Sequence, residues 1–389
     1  MPNHYLPYGC QNITESDIAA VVNVLRGPMI TQGSYVPEFE RAFSAKTSSQ
    51  YAVAVNSATS ALHLACLALG LGPGDWLWTS PISFVASANC GLYCGASVDF
   101  VDINPSTGLI CLKSLQKKLI QAERLGRLPK VLVPVHLTGS SCDMESIGAL
   151  ANRYGFTVLE DASHAVGGSY KSAPVGNCKY SHICVFSFHP VKIITTGEGG
   201  IATTNSPELA QRMRDLRSHG ITKDKNRFKC RVEGPWSYEQ QELGFNYRMT
   251  DFQAALGNNQ LQRLESIVFQ RNQLFKHYQT LLDLLPLRLL DIPDEVASSV
   301  HLAVIRLDNP EAKHHREVFE SLRKEGFGVQ LHYTPIHLQP YYRKFGFVES
   351  DFPEAEAYAI NAISLPLYPG LSKQQQLRVA KSLANLLTK

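Results

Sequence analysis

HICVFSFHPVKIITTGEGG, residues 182–200, governs how the rest of the chain is read. Its first seven residues are mostly β-branched, apolar or aromatic, as in a buried strand, and that strand runs out in Ser187, Phe188 and His189. One lysine, Lys192, then stands among Val191, Ile193 and Ile194, ahead of the flexible TTGEGG and a second strand, GIATTN (200–205). Apolar neighbours imply partial desolvation, which favours the neutral amine over the ammonium, and the neutral amine is the form that attacks an aldehyde. A snorkelling surface lysine is the ordinary alternative. The glycine-rich turn that follows counts against it.

Outward from this stretch, short strand-like runs recur: YAVAV (51–55), WLWTS (76–80), VDFVDI (98–103), KVLVPVH (130–136) and FTVLE (156–160). Helical patterns at 57–70, 83–95 and 144–155 lie between them, the βαβ signature of a mainly parallel sheet covered on both faces. In such sheets ligands gather at the carboxyl ends of the strands. Apolar residues then recur every three to four positions over 249–285, as in a bridging helical element. HLAVIRL (301–307), a helix over 314–325, a second strand VQLHY (329–333) and two terminal helices complete a smaller α+β unit. The expected division is a large α/β domain, 1–265, and a bridging helix with a small C-terminal α+β domain, 266–389.

With 389 residues, 44% of them hydrophobic and 18% charged, the chain can build a large core and is too apolar to be disordered. Thirty-seven Lys+Arg against 34 Asp+Glu leave a net charge of +3 with no run of like charges, so no nucleic-acid footprint is expected. Met1 to Tyr8 have neither the basic start nor the apolar run of a signal peptide, and nothing later approaches about 18 uninterrupted apolar residues. The expected location is the cytoplasm, with no membrane partner. The nine cysteines form no C-x-x-C pair and read as reduced, mostly buried thiols. Gly70, Gly72 and Gly74 follow a helix and precede a strand, the reverse of a dinucleotide fingerprint, and so read as a loop.

Two further features meet Lys192 at the same sheet edge. YAVAV runs into Asn56-Ser57-Ala58-Thr59-Ser60, where a helix begins; its free amides and positive dipole end could hold a phosphate, with simple N-capping as the alternative. FTVLE ends in Glu160-Asp161-Ala162-Ser163-His164. An acid buried there needs a cationic partner, which a protonated pyridine nitrogen would supply; a strand-end carboxylate capping the next helix is the alternative. A phosphate site, an aspartate and a lysine on one edge are together the parts of a pyridoxal phosphate (PLP) site.

These residues resemble the PLP-dependent sugar aminotransferases of the DegT/DnrJ/EryC1/StrS group, within the fold type I (aspartate aminotransferase-like) superfamily. The resemblance runs nearly end to end, through TQG (31–33), NSATSALHLA (56–65), GPGD (72–75), PISFVASAN (81–89), PVHLTG (134–139), EDASHAVGG (160–168), VFSFHPVKIITTGEGG (185–200), GFNYRMTDFQAALG (244–257), HYTPIH (332–337) and SLPLYPGL (364–371). It implies that Lys192 bonds the cofactor covalently and shuttles the reacting proton, and that Asp161 binds the pyridinium nitrogen. It also implies Phe84 over the cofactor face, His164 near the phenolic oxygen, and Ser187 with the amides of Ala58 and Thr59 on the phosphate. Asn246 and Arg248 would reach the site from a second subunit, making a homodimer with shared sites, and His332 with Tyr333 would touch the sugar nucleotide. Some relatives with histidine at the lysine position are dehydratases; Lys192 argues against that branch. The retained Lys192 and Asp161 likewise argue against a non-catalytic regulatory or structural protein. PISFVASAN, SHAVGG, FSFH and HYTPIH are most similar to the pseudaminic-acid branch. That similarity implies L-glutamate as amino donor and UDP-2-acetamido-2,6-dideoxy-β-L-arabino-hexos-4-ulose, a UDP-4-keto sugar, as acceptor, with other dTDP-, GDP- or UDP-linked keto sugars as the alternative.

Overall fold

The structure is a computed structural model that describes residues 5–231, 234–308 and 311–387; Met1 to His4, the first half of the segment read for a signal peptide, lie outside them. Seven of the strand-like runs pair into one sheet: β1 (Tyr51–Val55), β2 (Trp76–Thr79), β3 (Ser97–Phe100), β4 (Val131–Val133), β5 (Thr157–Asp161), β6 (Ile183–Ser187) and β7 (Gly200–Thr204). Their order is β1-β7-β6-β5-β4-β2-β3. The sheet is parallel from β6 through β3, while β7 runs antiparallel to both β6 and β1. The Lys192 loop joins β6 to β7 without a crossover helix, so the chain returns in the opposite direction.

Both faces of this sheet are buried, which is why its strands read as continuous apolar runs. Val53, Val55, Ile183 and Val185 join one core with Leu62, Leu77, Leu115 and Ile147, whereas Ala52, Ala54, Cys184 and Phe186 join another with Phe39, Phe43 and Ala254. The strict alternation is the two-residue period of a strand. Helices α1 (Glu15–Leu25), α2 (Tyr35–Thr47), α3 (Ala58–Ala68), α4 (Ala86–Tyr93), α5 (Leu112–Leu125), α6 (Met144–Tyr154) and α7 (Pro207–Arg217) are followed by α8 (Asp251–Leu261) and α9 (Leu264–Leu282). Starts and stops follow local chemistry: Ser57 accepts from Ser60 N at 3.1 Å to cap α3, Asp143 caps α6, and Gly155 ends α6 in the left-handed region at φ 75°. All nine cysteines are free, five of them buried. No helix among the described residues is long and apolar enough to cross a membrane.

A second sheet is antiparallel: β8 (Leu287–Leu289), β9 (Ala303–Leu307) and β10 (Ala362–Leu365), in that order. It shares a core with α9, α10 (Ala312–Lys324) and α12 (Lys373–Leu387) through Phe275, Tyr278, Val318, Leu322, Val379 and Leu383; α11 (Pro353–Ala359) precedes β10. The strand expected at 329–333 does not form. Gln330 makes a single bridge with Ser364, and the preceding residues pair with the N-terminal segment instead, where Leu6 N donates to Gly326 O at 2.9 Å and Gly328 N to Leu6 O at 2.6 Å. The alternating pattern of VQLHY marks a half-buried extended segment whose ladder partners are elsewhere. A Cβ on Gly328 would stand 2.9 Å from Leu6 O, so the glycine lets this pairing close.

Candidate active site

The carboxyl ends of β5 and β6, which are neighbours, and the turn after β1, which lies one strand further along beyond β7, open into one cavity of about 540 Å³ lined by Ser57, Ala58, Thr59, Asp161, His164, Ser187 and Lys192. Other clefts of 480–570 Å³ exist, so volume alone does not mark the site. The chemistry of the lining does. Ala58 and Thr59 occupy the first two positions of α3, and neither amide has an acceptor among the described residues. Gly200 permits this arrangement: a Cβ there would lie 2.5 Å from Ala58 N. Two free amides, the helix dipole and the Ser187 hydroxyl make a seat for a phosphate dianion. Ser60, by contrast, spends its hydroxyl on Asn56 Oδ1 at 2.7 Å.

Lys192 faces the same cavity, and desolvation pushes its amine down to about 8 against the opposing pull of the Asp161 charge. The adjacent acids on β5 separate, as alternate strand residues must. Asp161 faces the cavity, where its Oδ2 accepts from Ser87 Oγ at 2.6 Å and its Oδ1 from Ser163 N at 3.1 Å. Glu160 points to the opposite face, where Oε2 meets His136 Nε2 at 2.7 Å and Oε1 accepts from Ser181. Of the carboxylate pair in the sequence, only Asp161 is available to a ligand here.

The side wall comes from distant parts of the chain. Phe84, at the mouth and 58% exposed, leans toward Tyr333 with ring centroids 6.3 Å apart. His164 Nδ1 accepts from Thr138 N at 3.3 Å, so its proton sits on Nε2, which donates to Tyr333 Oη at 3.2 Å. Burial, with Lys192 nearby, holds His164 well below the ordinary histidine range, and it stays neutral. His332 is pushed down to about 3 by the same causes, and its Nδ1 pairs with Ser364 Oγ at 2.8 Å. The ring of Tyr8 lies 5.1 Å from that of His332, closing the cavity from the N-terminal segment. Asn246 and Arg248 do not line the cavity of this chain; Asn246 is exposed and its backbone bridges Ser218.

Sequence reading missed Tyr8, Ser87 and Gln330. Ser87 had a signal, since Ser83 and Ser87 are one helical turn apart in PISFVASAN; Tyr8 and Gln330 had none, because long-range pairing brings them in. Taken together, the residues fit a phosphorylated pyridine aldehyde: a phosphate seat, a carboxylate for a ring nitrogen, an aromatic flank and a depressed lysine share one cavity.

Comparison with known proteins agrees. The DegT/DnrJ/EryC1/StrS aminotransferase family model matches residues 11–384. The chain is 39% identical to the spore coat polysaccharide biosynthesis protein SpsC of Bacillus subtilis, covering 95% of this chain and 94% of that protein. It is 36% identical to the UDP-4-amino-4,6-dideoxy-N-acetyl-β-L-altrosamine transaminase of Campylobacter jejuni, covering 99% and 98%. The solved structure of Helicobacter pylori PseC, an aminotransferase involved in pseudaminic acid biosynthesis, superimposes with a TM-score of 0.90 at 30% identity, covering 99% of each chain. One similar protein has been solved in both its PLP and its pyridoxamine phosphate form. The chain belongs to the DegT/DnrJ/EryC1/StrS aminotransferase family and is a PLP-dependent sugar aminotransferase of fold type I.

Proposed function

We propose that the enzyme transfers the amino group of L-glutamate to C4 of UDP-2-acetamido-2,6-dideoxy-β-L-arabino-hexos-4-ulose, a step in making pseudaminic acid. The Lys192 amine, depressed to about 8 and sharing a cavity with Asp161 and the open end of α3, is the observation that carries the reading. When bound, PLP supplies an electron sink that stabilises a carbanion at the amine carbon. Asp161 keeps the ring nitrogen charged, Ser187 and the amides of Ala58 and Thr59 seat the phosphate, and Phe84 flanks the ring. Lys192, lowered to about 8 and so far nearer to its neutral form at physiological pH than an exposed lysine, anchors the cofactor and carries the proton between its C4′ and the substrate carbon. His164 approaches the phenolic oxygen, while His332 and Tyr333 face the sugar nucleotide.

The enzyme works in two half-reactions, glutamate in and 2-oxoglutarate out, then keto sugar in and amino sugar out. We assign Asn246 and Arg248 to the neighbouring site of a cytoplasmic homodimer and retain the division into domains at 265/266. The similarity to the Campylobacter and Helicobacter enzymes supports this acceptor. The 39% identity to SpsC, against 36% to the Campylobacter enzyme, favours a second reading, another nucleotide-linked keto sugar with the same chemistry. An absorption spectrum tests both: glutamate should bleach the visible band of the PLP enzyme and the UDP-4-keto sugar should restore it. Bleaching without restoration by that sugar, but with restoration by another, selects the second reading; a protein indifferent to PLP overturns both.

A further inference from the structure

The carboxylate of Asp161 is held by a chain of two hydroxyls that the roles assigned above leave unused. Ser83 and Ser87 are 3% and 0% exposed and stand one turn apart where α4 begins, with their Oγ atoms 2.6 Å apart. Ser87 Oγ donates to Asp161 Oδ2 at 2.6 Å. A hydroxyl carries one proton, and an ionised carboxylate can only accept. Ser87 has committed its proton to Asp161, so the Ser83 proton must point to Ser87, which fixes the chain in one direction, Ser83 to Ser87 to Asp161. Oδ1 is tied separately by Ser163 N at 3.1 Å.

We propose that Ser87, backed by Ser83, is a positioning residue that holds the Asp161 carboxylate correctly rotated toward the pyridine nitrogen. A short hydroxyl-to-carboxylate bond in a dry site fixes the direction of the acid, and a second hydroxyl upstream polarises the first. Loss of Ser87 leaves Asp161 Oδ2 without this donor and free to turn away from the ring nitrogen, which alters the environment the visible band reports. The inference rests on the assignment of Asp161 to the pyridine nitrogen.

The test uses the full chain stripped of PLP and then titrated with it, for wild type, Ser87→Ala and Ser83→Ala. Ser87→Ala should bind PLP roughly tenfold more weakly and shift the pH profile of the visible band, and Ser83→Ala should move both in the same direction by roughly threefold. Ser87→Thr, which keeps a hydroxyl, should restore the wild-type pH profile. Wild-type affinity and pH profile in Ser87→Ala overturn the inference. If Ser87→Ala does not fold, an unmoved pH profile in Ser83→Ala overturns it instead. A wild-type protein that takes up no PLP overturns the assignment of the site itself, a result distinct from failure of the hydroxyl chain.

Discussion

The floor and the wall of the cavity are assembled in different ways. Asp161, Ser187 and the head of α3 stand on or just past the ends of β5, β6 and β1, with β7 paired between the last two and Lys192 on the loop leaving β6, so their mutual placement follows from sheet register. Tyr8, Phe84, His164, Gln330, His332 and Tyr333 come from four separate stretches, joined by the Leu6–Phe327 and Gln330–Ser364 bridges and by side-chain contacts such as His164 to Tyr333. A floor fixed by register suits chemistry that every substrate passes through. A wall built from separable pieces can be altered piece by piece, as the choice of sugar demands.

The floor should therefore carry the largest effects, and they should fall on both half-reactions. Lys192→Ala should slow both by on the order of 10³- to 10⁴-fold in stopped-flow absorbance. Its pH behaviour tests the same point. With the amine down near 8 instead of about 10.4, PLP uptake by the stripped enzyme should rise with pH through an inflection near 8. Between those values the unfolded chain holds a proton that the folded one has lost. Lys192 therefore adds stability to the stripped enzyme as pH rises across that window. An uptake inflection near 10 would mean that the cavity does not desolvate the lysine.

Next in size is the contrast between the two neighbours on β5. Asp161→Asn should lower the glutamate half-reaction by roughly 10²-fold while leaving thermal unfolding near wild type. Glu160→Gln should do the reverse: it weakens the buried link to His136 and Ser181, costs about 1–3 kcal/mol of stability, and leaves the rate per folded molecule intact. Equal effects of both on rate would remove the division between a ligand-facing and a core-facing carboxylate.

The floor was legible in the sequence because each part is local: a strand end, then a small polar turn, then a helix or loop. EDASH by itself exposed the acid pair, and the family resemblance named Asp161 as the member at the cofactor; in the structure Asp161 lines the cavity while Glu160 turns to His136 and Ser181. Much of the wall was named through HYTPIH and PISFVASAN. Its closure by Tyr8 was not, because no periodicity marks a segment whose partners lie more than 300 residues away. The same cause undid the strand expected at 329–333, whose neighbours had given their hydrogen bonds to Leu6.

The smallest effect belongs to the wall and should divide the two half-reactions. Since Thr138 N takes His164 Nδ1, the Nε2 proton must go to Tyr333 Oη, which leaves the Tyr333 proton for a ligand in the cavity. Burial holds that hydroxyl well above the ordinary tyrosine range, so it remains a donor across the working pH. Tyr333→Phe removes one donor and no ring, and should raise KM for the keto sugar roughly three- to tenfold with kcat little changed. If the sugar alone uses this donor, the amino-donor half-reaction, with glutamate as the donor proposed above, should proceed at its wild-type rate in the same variant. A slowed glutamate half-reaction would place Tyr333 in the shared chemistry, and the cavity would then have no part reserved for the sugar on this side.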